Sequence, residues 1–186
     1  MVVSVHPDEQ PSPNVSLRYK YEKWAEGHFT IEKRRKHPWK SLRTFNILIP
    51  REIALRFPFD ESILGYGYED VLLGRKLEKE GVSVLHINNP LLNTDIEDNT
   101  TFLCKTEEAL RTLWKQEDKI QDSSSLISFY KKLDSIKALP IVRILYHLFS
   151  KKIRKNLTGK EPNILLFQFY KIAYFDALHI TAETKK

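Results

Sequence analysis

Apolar positions recur along this chain at two intervals, and the intervals separate helical from extended stretches. Leu17, Tyr21 and Trp24 fall at helical spacing with Arg18, Lys20 and Lys23 between them, which predicts an amphipathic helix over 17–24. The apolar run 71–77 repeats the pattern, with Glu69 and Asp70 in its first turn and Gly81 as its stop. A third helix is predicted over 106–121, with Thr106 as N-cap, Glu107 and Glu108 behind it, and a stripe of Ala109, Leu110, Leu113, Trp114 and Ile120. That stripe reads as core. Two short apolar runs, 45–49 ended by Pro50-Arg51 and 83–87 closed by Asn88-Asn89-Pro90, read as strands. The β-branched start, 1–5, reads as another strand that leads into a proline-bearing loop, and 51–56 as a brief helical turn.

Asp122-Ser123-Ser124-Ser125 breaks the pattern and sets the expected boundary between a region 1–121 and an extension 122–186. The extension is predicted helical over 126–136, interrupted near Pro140, apolar over 141–153, and helical again over 162–180. Lys151, Lys152, Arg154 and Lys155 crowd the end of its middle segment. Helical hairpins packing on each other or on a partner are the favoured reading, and docking of an apolar face with a basic rim on a membrane surface is the other.

Charge and composition narrow the partners. At 186 residues the chain can bury a core of its own, as one domain with an appendage. A net charge of +6 suits phosphorylated ligands or anionic lipid. The basic residues follow no nucleic-acid motif, so no nucleic-acid partner is expected. The run Glu32-Lys33-Arg34-Arg35-Lys36-His37 reads first as a solvated face and second as a phosphate-facing patch. A single cysteine, Cys104, leaves no intrachain disulfide and is expected to be a buried, inert thiol in a reducing compartment. The start lacks the pattern of a signal peptide, and no apolar run is long enough to span a bilayer, so a cytoplasmic place is expected, either free or at the inner face of the membrane.

The stretch with most chemistry runs from Phe57 to Asp70. Gly65 and Gly67 free the backbone to turn, Tyr66 and Tyr68 flank the second glycine with flat rings, and Glu69-Asp70 opens the helix. Adjacent acids at a helix start are favoured simply as caps on free N–H groups. Asn46 and His86 have an equally plain reading, as a satisfied core amide and a ring packed along its strand.

The order of Asn46-Ile-Leu-Ile-Pro50-Arg51, Phe59-Asp60-Glu61, Tyr66-Gly67-Tyr68-Glu69-Asp70-Val-Leu-Leu-Gly74 and Leu85-His86-Ile87-Asn88-Asn89-Pro90 resembles the second half of bacterial family-2 glycosyltransferases. It is also similar to the C-terminal catalytic part of galactosyltransferases, and the likeness covers positions 15 to 115. The resemblance implies an α/β fold, the acceptor-side half of a GT-A domain followed by the helical extension. It implies a nucleotide-sugar donor, a glycan hydroxyl acceptor and a divalent metal, Mn or Mg. Asp70 would be the base, Glu69 would orient the acceptor, and Gly65, Tyr66, Gly67, Tyr68 and Asn46 would bind it. The chain departs from the pattern twice. No Asp-x-Asp precedes the matched region, Asp95 and Asp98 being downstream and wrongly spaced, and Asn93 stands where relatives carry a metal-binding His. A C-terminal half without its donor-binding part is therefore expected, either active with one or a non-catalytic remnant that binds a glycan or a partner.

Overall fold

The computed structural model describes residues 4–5, 12–60, 66–92, 96–120 and 123–183. It overturns the α/β expectation: the described residues are predominantly helical, an all-α fold. The strand pairing among the described residues is one parallel bridge of two residues per side, β1 (Ser4–Val5) against β2 (Leu91–Leu92). The two predicted strands are extended segments without a ladder. Residues 45–49 begin in a 3-10 turn, Thr44–Asn46, and 83–87 join no strand ladder among the described residues. Each has the backbone reach of a strand, but alternation cannot supply the neighbour that a ladder requires. Leu48 and Leu85, expected on a sheet face, are instead 98% and 79% exposed.

The helices follow in order: α1 (Ser16–His28), α2 (Ile31–Lys36), α3 (Arg51–Arg56), α4 (Glu69–Lys79), α5 (Asn99–Lys115), α6 (Glu117–Ile120), α7 (Ser125–Ser135), α8 (Leu139–Leu157) and α9 (Ile164–Glu183). Helix α9 is apolar nearly all round, the mark of a helix buried on several sides. It packs on α8, α5, α1 and α7. Its Phe175 joins Val71, Leu110, Leu113, Ile120 and Ile127 in one core cluster, and its Phe167 and Tyr170 join Leu17, Leu103, Ile153 and Leu157 in another. Helices from either side of residue 122 thus share both cores. A smaller cluster of Leu42, Leu73 and Leu77 lies under Trp39 and Val82.

Local chemistry sets the ends. Gly81, at φ 67°, closes α4, with the Val82 amide donating to the Leu77 carbonyl. Helix α5 begins seven residues before Thr106, at Asn99, because Asp98 accepts from the amides of Thr100 and Thr101 at 2.9 and 3.0 Å. Thr106 sits inside that helix, its hydroxyl donating to the Phe102 carbonyl. Cys104, also on α5, is exposed rather than buried, because it falls outside the stripe that Leu103 and Leu110 turn inward.

Candidate functional site

The turn into α4 is made by two consecutive residues with positive φ, Gly67 at 94° and Tyr68 at 73°. For Gly67 the reason is double. A Cβ there would be strained, and it would also meet the Ala109 Cβ at 3.0 Å, where the turn crosses α5. Tyr68 is a non-glycine residue in the left-handed region, a conformation costing about 1 kcal/mol. Its ring offsets that by packing against the Val71–Leu110 core, and burial pushes its phenol well above the usual range. The Glu108 carboxylate on α5 accepts from the Tyr66 amide at 3.1 Å and holds the turn from outside.

This geometry separates the two acids. Glu69 turns back on its own loop, accepting from the Gly67 amide at 3.2 Å, so it braces the turn and caps no amide of α4, whose N-cap is Tyr68. Asp70 points the other way, into a cavity of about 390 Å³ walled by α1, α4, α5 and α9. Burial raises the Asp70 carboxyl above its ordinary range, while the Arg43 guanidinium, 3.7 Å away, and the amide at the start of α4 pull it back. The net rise makes Asp70 a better proton acceptor than an exposed aspartate. Tyr66 and Tyr68 line the same cavity, with Tyr21, Phe29, Phe102 and Phe167 as further rings.

Four cations complete the lining: Lys40, Arg43, Lys105 and Lys171. Lys105 pairs with Glu97 and lies 5.5 Å from the Tyr66 ring centre. Lys171 stands over the rings of Tyr21 and Phe167, at 4.9 and 5.1 Å, and burial lowers its pKa to about 8. It is the one lysine of α9, whose aspartate, Asp176, is bound instead by Arg143 at 2.8 and 3.0 Å. Sequence reading singled out none of these four. For Lys171 a signal existed, a lone ammonium in an otherwise apolar helix.

Other expected site residues lie elsewhere. Asn46 is outside this cavity and lines a second one of about 540 Å³, between the extended segments 45–49 and 83–87. Its side-chain amide nitrogen is buried and has no hydrogen-bond partner among the described residues, so it is not the satisfied core amide. His86 lines the second cavity too, buried, with Nε2 2.9 Å from the Pro38 carbonyl oxygen. Arg43 borders both cavities. Gly65 and Asn93 lie outside the described residues. In the basic run, Arg34 is buried rather than solvated, and Arg35 donates to the His86 carbonyl at 3.0 Å.

The lining of the Asp70 cavity does not fit a divalent metal. Among the described residues of the lining Asp70 is the one carboxylate and is already paired to an arginine, which leaves no ligand set, and the four cations around it repel a bound cation. Among the described residues, no group of three or more His, Cys, Asp or Glu is placed to hold a metal ion. The same lining attracts anions. Comparison of the chain with protein-family models, curated proteins and solved structures returns no match.

Proposed function

We propose that the cavity before Asp70 takes the hydroxyl-bearing acceptor of a glycosyl transfer, and that Asp70 is the base. The observation that carries this reading is the position of Asp70. It is a carboxylate raised by burial, facing a cavity of about 390 Å³ whose walls are largely aromatic. Ring faces suit the apolar faces of a sugar, and a carboxylate beside them suits its hydroxyls. In the step, the acceptor oxygen forms a bond to the anomeric carbon of a nucleotide-sugar as its proton passes to Asp70. The bond to the donor diphosphate breaks with inversion, and the nucleoside diphosphate leaves with the electron pair. The cations of the lining offer countercharge to that diphosphate without a metal.

A second reading, a non-catalytic glycan- or partner-binding module, is favoured by Glu69, which folds back onto the Gly67 amide rather than joining Asp70. One assay separates the two. Purified chain is given nucleotide-sugars with glycan acceptors, and both transfer and acceptor binding are followed, with Asp70→Asn beside the wild type. For the enzyme, the variant loses at least about 100-fold in turnover while acceptor binding persists, the usual scale of general-base loss. Glycan binding without turnover selects the binding module. Absence of both discards the sugar site altogether.

A further inference from the structure

Helix α8 carries two apolar faces, and the protein covers only one. Leu139, Val142, Ile153 and Leu157 are buried against α9 and its neighbours. On the opposite side Ile141, Ile144 and Leu148 are 62%, 60% and 63% exposed, with Leu145 and Phe149 beside them. Positions 141, 145, 148, 152 and 155 follow one another at helical intervals, so this bare stripe runs straight into Lys152 and Lys155, with Lys151 alongside. Helix α8 holds no acidic residue. Its two arginines are paired across the fold, Arg143 with Asp176 and Arg154 with Glu107, while each stays 45% exposed. The three lysines left on the outer side are exposed.

The bare stripe also has depth. Leu145, Phe149 and Lys152 of α8 meet Leu166 and Phe169 of α9 in a shallow groove of about 350 Å³ with almost no polar lining. Phe169 also borders a second groove reaching Phe129 and Leu133 of α7. Lys152 leans its ammonium to 5.9 Å from the Phe149 ring centre, stem along the apolar surface and charge at its edge. An exposed apolar stripe of this length signals a partner surface.

Charge selects the partner. We infer that the outer face of α8 docks on an anionic lipid surface, with Ile141, Ile144, Leu145 and Leu148 entering the interface and Lys151, Lys152 and Lys155 at the headgroups. A lipid surface takes an apolar stripe and a cluster of one charge together. A second copy does so poorly: parallel stripes oppose like charges, and antiparallel ones bury the lysines of each copy against Ile141 of the other. No helix among the described residues is long and apolar enough to cross a membrane, so α8 lies along the surface. This inference is independent of the glycosyl-transfer reading.

The test is co-sedimentation of the full chain with vesicles of phosphatidylcholine alone and of three parts phosphatidylcholine to one part phosphatidylglycerol. The expected result is binding to the anionic vesicles that weakens with salt. Ile144→Ser with Leu148→Ser, and separately Lys151→Glu with Lys152→Glu, should each lower it at least about tenfold. Both pairs are exposed, and matching thermal unfolding confirms that the variants fold. Should a variant fail to fold, hydrogen exchange on the wild type replaces it, with protection over 139–157 rising on anionic vesicles. No sedimentation with anionic vesicles overturns the inference. So does binding that survives the serine pair, which would be adsorption by charge alone. A dimer in light scattering that the serine pair dissolves, without vesicle binding, assigns the face to a second copy and also overturns it.

Discussion

Lys171 shows how a single residue can serve a site against the interest of the fold. Its ammonium is desolvated between two rings, and among the described residues no carboxylate pairs with it by hydrogen bond or salt bridge, so ring faces alone offset the loss of water. Folded, its pKa is about 8, against 10.5 for an ordinary lysine. Below pH 8 both folded and unfolded chains hold the proton, and the full burial penalty is present. Between 8 and 10.5 the folded state sheds the proton first, so stability rises with pH across that window. Lys171→Met should therefore raise stability by about 3 kcal/mol at pH 7, roughly 9 °C in thermal midpoint, and the gap from wild type should close by about pH 10.5. Thermal scans across pH check it, and a variant less stable at pH 7 would contradict the penalty. At this scale the sequence was half legible. It placed Tyr66, Tyr68 and Asp70 together, but the resemblance set Glu69 at the acceptor beside Asp70, where the structure turns it back onto the Gly67 amide. Side chains one residue apart point about 100° apart around a helix, and only the approach of α5 to Gly67 fixes which direction is inward.

At the scale of elements, polar joints decide where helices begin. Asn99, the first residue of α5, is 1% exposed and ties three segments at once. Its Oδ1 accepts from the Leu17 amide at 2.7 Å, and its Nδ2 donates to the carbonyls of Pro13 and Gly159 at 3.1 and 2.8 Å. Asn99→Ala leaves a buried amide and two carbonyls short of partners, and should cost about 3 kcal/mol. Denaturant unfolding would measure it, and Asn99→Asp tests the chemistry, since an acceptor-only carboxylate keeps the bond from Leu17 and loses the other two. Helix periodicity was readable for α1, α4 and α7, whose apolar positions repeat at helical spacing. Residues 141–153 were legible only as an apolar segment, and α9, apolar nearly all round, only as a long run rich in Leu, Phe, Tyr and Ile. The start of α5 was misplaced because Asp98 and Thr106 both offer an oxygen to free amides, and only tertiary packing of Leu103 chooses between them. The strands failed for a different reason. A strand's apolar alternation describes a surface waiting for a neighbour, and 45–49 and 83–87 face each other across a cavity without pairing.

For the whole molecule, the sharing of cores across residue 122 has a consequence for folding. Ile127 and Phe175 are fully buried beside Val71, Leu110 and Leu113, while Phe167 and Tyr170 close over Leu17 and Leu103. Deleting everything after residue 121 would strip both clusters at once, exposing Leu103, Leu110 and Leu113, none more than 2% exposed in the intact chain. Truncating even one buried leucine to alanine costs about 2–5 kcal/mol, and a domain of this size has only about 5–15 kcal/mol in hand. The two regions drawn from composition should therefore melt as one. Calorimetry on the full chain should give a single transition with calorimetric and van't Hoff enthalpies equal, and residues 1–121 alone should show no cooperative transition. Two separated transitions, or a sharp melt of the shorter chain, would mean that α9 is an appendage rather than the core element. The boundary motif Asp122-Ser123-Ser124-Ser125 is real as local chemistry, since the Ser124 hydroxyl accepts from the Ile127 amide at 3.3 Å to start α7. A polar cap before a helix looks the same in sequence whether that helix leads into a new domain or turns back onto the old one. The burial of Ile127, one turn later, is what distinguishes the second case here.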